Sequence, residues 1–132
     1  MPLVVVRRLV AGFAMACIVL VGARATAAPL TSAPEDIQYL LDAIERSGCE
    51  FYRNGSWYAA ADARSHLASK YRQVDKSRPV RSAEDFIDWV GTRSSTSGEP
   101  YRVRCPGNDV MTSAEWFRRE LARRPPSAGE SR

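Results

Sequence analysis

The first 27 residues constrain most strongly what this 132-residue chain can fold into, because they read as a leader that leaves before the fold is complete. Arg7 and Arg8 form its basic start, residues 9–22 are apolar and uncharged, and Ala25-Thr26-Ala27 is a small-x-small exit before Ala28-Pro29. The apolar run is 14 residues, short of the roughly 20 that span a bilayer as a helix, and Arg24 interrupts it before the exit. Two other readings stay open: an uncleaved N-terminal anchor, and lipid attachment at Cys17, which follows Ala14-Met15-Ala16 but precedes the apolar run Ile18-Val19-Leu20-Val21. The expected location is periplasmic or secreted after cleavage, with no stable membrane span.

Cleavage changes the charge and the cysteine arithmetic. Three of the 19 Lys and Arg leave with the leader, so 16 remain against 15 Asp and Glu. A near-neutral domain does not call for a nucleic-acid partner, which needs a clustered basic face. Arg118, Arg119, Arg123 and Arg124 do cluster, but cations at a helix C-terminus serve the helix dipole. Of three cysteines, Cys49 and Cys105 remain. Two cysteines in an exported domain most simply form a disulfide. The competing reading is free or metal-binding thiols, and a zinc site would want more ligands than the single histidine, His66, supplies.

The sequence predicts one compact domain over 28–126 and a loose polar tail over 127–132. Ser32-Ala33-Pro34-Glu35 starts a helix with a capping box, Ile37, Leu40, Leu41 and Ile44 form its apolar stripe, and Gly48 ends it. Asn54-Gly55 between Cys49-Glu50-Phe51-Tyr52-Arg53 and Ser56-Trp57-Tyr58 is a hairpin signal, since both turn residues tolerate positive φ. A second helix is expected over 60–74, a polar connection over 75–81, and a third helix from Ser82 with Phe86, Ile87, Trp89 and Val90 buried. Residues 94–100 read as a turn. Tyr101-Arg102-Val103-Arg104-Cys105 alternates as a strand, 106–111 reads as a loop, and a fourth helix starts at Thr112-Ser113-Ala114-Glu115 and stops at Pro125-Pro126. The fold class expected is α+β: a small antiparallel sheet, the hairpin plus a third strand, packed with about four helices.

These residues also carry a resemblance. Phe51-Tyr52-Arg53-Asn54-Gly55, Ala63, His66-Leu67, Lys70, Phe86-Ile87 and Ser94-Ser95-Thr96-Ser97-Gly98-Glu99-Pro100-Tyr101 together resemble the YfeK-like family of small exported bacterial proteins. The resemblance implies a signal peptide, a periplasmic setting and one compact domain of unknown function. It brings no catalytic residue and does not settle the disulfide.

Three groups of side chains are candidates for chemistry. His66 has Asp62 at i−4 and Lys70 at i+4 on one helix face, an arrangement that serves either a general base oriented by Asp62 or an ordinary salt-bridged face. Ser94, Ser95 and Ser97 offer hydroxyls that either act with His66 or make turn bonds to their own backbone. Neither a G-x-S-x-G elbow nor an S-x-x-K motif accompanies them. At the hairpin tip, Arg53 and Asn54 suit a carboxylate or phosphate, with Trp57, Tyr58 and Tyr101 as an aromatic platform or as core. No P-loop, dinucleotide fingerprint, EF-hand or H-E-x-x-H is present, so neither cofactor nor metal is expected. The leading expectation is a non-catalytic module that binds an envelope protein or cell-wall fragment through Arg53, Asn54, His66, Ser94, Ser95, Ser97 and Tyr101. The rival is a small envelope-directed hydrolase or transferase using His66 and a serine of the 94–97 loop.

Overall fold

A computed structural model describes residues 33–126. The predicted leader, the Ser32 cap, the Cys17 alternative and the 127–132 tail lie outside the described residues. The order is α1 (Ala33–Arg46), β1 (Glu50–Arg53), β2 (Ser56–Ala59), α2 (Ala60–Ser77), α3 (Ala83–Phe86) continuing as a π-helical turn (Ile87–Gly91), β3 (Arg102–Arg104), β4 (Met111–Thr112) and α4 (Ser113–Ala122). The sheet is antiparallel throughout, in the order β2-β1-β3-β4. The fold is α+β, as expected.

The hairpin forms because Asn54 and Gly55 both take positive φ, 48° and 88°, which matches the twist of the flanking strands. Its register sets Phe51 opposite Tyr58 on the inner face and Tyr52 opposite Trp57 on the outer one. The third strand lies beside β1 with Val103 opposite Phe51. Inward-facing Phe51 and Val103 are buried, and Glu50, Arg102 and Arg104 are exposed. Cys49 and Cys105 are bonded across a sequence separation of 56. The bond joins the α1–β1 connection to the end of β3.

Three differences from the sequence reading have local causes. The second helix runs to Ser77, one turn past residue 74. The Arg78 amide closes its last turn on the Val74 carbonyl at 2.7 Å, and the Asp75 carboxylate accepts the Val80 amide at 2.8 Å. The third helix is α-helical for only four residues before it widens into the π-helical turn, where Thr92 Oγ1 donates to the Ile87 carbonyl at 2.6 Å. The segment 106–111 read as loop supplies Met111 to a fourth, two-residue strand beside β3. A pair so short has no periodicity to detect.

The core lies between the inner sheet face and the helices. Ile37, Leu40 and Ile44 of α1 meet Phe86, Ile87 and Val90, with Phe117 and Trp116 of α4 closing one side. Trp89, expected to be buried, is only half-buried and stacks under the Arg78 guanidinium. Edge-to-face contacts link Tyr71, Phe86, Phe117, Trp116 and Phe51 in sequence. The π-helical turn sets Gly91 hard against Phe117. A Cβ added there would lie 2.8 Å from the ring. Ser113, buried at the start of α4, donates its hydroxyl to the Gly91 carbonyl.

Candidate functional site

The inner end of the hairpin and the first two turns of α2 enclose a cleft of about 280 Å³. Alternation along β1 puts Arg53 on the same face as Phe51, so its side chain turns inward from the tip. The helical repeat brings Asp62, Ala63, His66 and Leu67 to the opposing wall, and Tyr58 and Tyr101 complete it. Phe51, Tyr58, Ala63 and Leu67 make most of this lining hydrocarbon.

Polar groups converge at one end. Arg53 Nη1 lies 3.1 Å from His66 Nδ1 and 3.4 Å from Nε2. His66 Nε2 is 3.3 Å from the Tyr101 hydroxyl, and Lys70 Nζ donates to the same hydroxyl at 3.3 Å. Lys70 also donates to the Arg93 carbonyl at 2.5 Å and lies 5.0 Å from the centre of the Tyr101 ring. Arg53 in turn stacks on Tyr58 at 4.9 Å.

The donors assign the protons. A guanidinium has no acceptor, so the nearer His66 nitrogen, Nδ1, presents its lone pair to Arg53, and the neutral ring carries its proton on Nε2. The Tyr101 oxygen then accepts from both Nε2–H and Lys70. Its own proton is left for an acceptor in the cleft.

Electrostatics follow from the same packing. Burial holds the His66 pKa below its usual value, and the positive charges of Arg53 and Lys70 add to that effect. Burial also lowers Lys70 to about 8, since the residue is only 8% exposed. Tyr101 is raised, chiefly by burial, with Arg53 opposing. Neither Arg53 nor Lys70 is in an ion pair among the described residues. Asp62 lines the cleft but makes no hydrogen bond to His66, whose ring is held by Arg53 and Tyr101 instead.

Six of the seven residues singled out in the sequence fall into two groups. Arg53, His66 and Tyr101 converge on the cleft. Asn54, Ser94 and Ser97 belong to a latch between the hairpin tip and the 94–97 loop. Ser97 Oγ donates to Asn54 Oδ1 at 2.6 Å, and Asn54 Nδ2 reaches Thr96 Oγ1 at 3.5 Å. Buried Ser94 accepts the Thr96 and Ser97 amides and meets Thr96 Oγ1 at 2.9 Å. Ser95 is exposed and outside the latch. No loop hydroxyl hydrogen-bonds to His66. The aromatic platform also divides: Tyr58 and Tyr101 line the cleft, whereas Trp57 sits on the outer sheet face against Tyr52 and Arg104. Lys70 is the functional group that the sequence reading placed only on the His66 face. Its i+4 spacing from the histidine was the available signal, but the Arg93 carbonyl that draws it inward comes from a segment 23 residues away.

Among the described residues, no group of three or more His, Cys, Asp or Glu could hold a metal ion, and no helix is long and apolar enough to cross a membrane. The family described as Family of unknown function (DUF5329) matches residues 31–124. No curated protein and no solved structure matches the chain.

Proposed function

The chain belongs to DUF5329, a family of unknown function, and we propose that it is a non-catalytic binding module whose cleft takes a small monocarboxylate with an apolar body. The observation that carries this reading is the Arg53–His66–Tyr101–Lys70 cluster at the end of a hydrocarbon-lined cleft. Arg53 and Asp62 are the charged residues of the lining, Lys70 adds a second cation from behind Tyr101 through its bond to that hydroxyl, and the neutral His66 adds no charge. One anionic group balances that excess. Arg53 suits a carboxylate bidentately, and the Tyr101 hydroxyl supplies a second donor. A volume near 280 Å³ sits at the small end of ligand sites, which favours a single short acid or the terminal residue of a larger molecule. A cell-wall fragment ending in a carboxylate, or the end of an envelope protein, has this chemistry.

The setting is part of the proposal. Residues 1–27 act as a cleaved signal peptide, 28–126 fold as the working domain, and 127–132 trail as a tail. The domain works in the periplasm or outside the cell, as the likeness to the YfeK-like proteins implies. The Cys49–Cys105 bond supports an oxidising compartment. The hydrolase or transferase reading needs a serine paired with His66, and the hydrogen bonds of His66 go to Arg53 and Tyr101.

Thermal unfolding with phenylacetate and with its uncharged amide tests the reading, because a ligand of the folded state raises the midpoint with concentration. Phenylacetate is expected to raise it, phenylacetamide to leave it unchanged, and Arg53→Ala to abolish the response. Equal responses to acid and amide, or none to either, would overturn the monocarboxylate assignment.

A further inference from the structure

A second concavity, of about 480 Å³, lies between the end of α1, the disulfide and α4. Cys49, Cys105, Met111 and Trp116 contribute to its floor, and its charged lining is Arg46, Arg119, Arg123 and Glu120. The arginines of α4 fall into distinct roles. Arg118 is bound to Glu84 and Asp88, and Arg124 to Asp36 at 2.6 Å, so neither is available to the groove. Arg123 pairs with Glu120 at 3.0 Å. Arg46 and Arg119 are in no ion pair among the described residues, and the Arg46 guanidinium lies 5.7 Å from the centre of the Tyr39 ring. Glu115, which feels the charge of Arg119, has its carboxylate committed to the Thr112 amide and hydroxyl. The helix dipole accounts for basic residues in a last turn. It does not account for two helices turning guanidiniums without an ion pair toward one groove.

Charge distinguishes this groove from the cleft. Three guanidiniums face one carboxylate here, an excess of two positive charges. A single carboxylate would neutralise half of that, whereas a phosphate monoester carries about −1.5 to −2 at pH 7 and presents tetrahedral oxygens to Arg forks. We propose that the groove between α1, the disulfide and α4 is a second anion site, for a phosphate-bearing ligand. The reading stands independently of the carboxylate cleft, since it shares no lining residue with it.

The phosphate monoester has two sources, a soluble ester and a lipid headgroup that ends in a phosphate monoester. Amide chemical shifts of the full chain, followed on addition of inorganic phosphate at constant ionic strength, test the site itself. Saturable shifts are expected at Arg46, Cys49, Asn108 and Arg119. Arg119→Gln should weaken the response about tenfold, in line with loss of one charge-assisted hydrogen bond. Arg118→Gln, outside the groove, should leave it unchanged. Sedimentation with vesicles containing phosphatidic acid, whose headgroup is a phosphate monoester, then separates the sources: binding lost in Arg119→Gln assigns a headgroup, and no binding beside an intact phosphate response assigns a soluble ester. Absent shifts at the groove, or equal weakening by Arg118→Gln and Arg119→Gln, would overturn the proposal.

Discussion

The ammonium of Lys70 has left water without gaining a carboxylate, and this sets both the charge of the cleft and a pH signature. Folded Lys70 deprotonates near 8, against an ordinary 10.5. Between those values the unfolded chain holds the extra proton, so stability rises with pH there; below about 8 the burial cost is fully present. Tyr101, raised by burial, binds more protons when folded, and so adds to the stability lost again only above its ordinary 10.0. Denaturant unfolding from pH 8 to 9.5 should therefore show an upward slope that Lys70→Met flattens. An unchanged slope in the variant would mean that Lys70 is solvated. At this scale the sequence was informative about identity and poor about partners. The i+4 spacing put His66 and Lys70 on one face, yet the Tyr101 hydroxyl and Arg93 carbonyl that fix their protons are 31 and 23 residues from Lys70. Asp62, at the favoured helical spacing, was the wrong orienting group because Arg53 from β1 reaches the ring first.

Elements were legible where local chemistry decides them. The Asn54-Gly55 turn and the helix starts at Ser82 and Thr112 appear where the residues place them, Ser82 as a cap and Thr112 with Glu115 as a capping box. Replacing Thr112 by Ala should cost about 1 kcal/mol, the usual worth of such a cap, with thermal denaturation as the measure. What was not legible depends on contacts across the chain. The π-helical turn at Ile87–Gly91 exists where Gly91 meets Phe117 and its carbonyl takes the Ser113 hydroxyl, and no sequence period encodes that. Gly91→Ala should destabilise by about 1–3 kcal/mol through overpacking and should disturb the following segment, which carries Arg93 and Tyr101. Unaltered unfolding of that variant would show that the turn relaxes freely.

Across the whole molecule, one covalent bond and two differently charged concavities define what the domain can do. The Cys49–Cys105 bond closes a separation of 56 residues, which corresponds to about 4 kcal/mol of chain entropy removed from the unfolded state. Reduction should lower stability by that order, and intact mass should rise by two hydrogens. The same bond forms part of the basic groove and lies apart from the Arg53–His66 cleft. The central claim concerns that cleft, and amide chemical-shift mapping with phenylacetate tests it most directly. The account predicts saturable shifts confined to Arg53, Tyr58, Ala63, His66, Leu67 and Tyr101. Shifts confined to the arginine groove, or none that saturate, would contradict it.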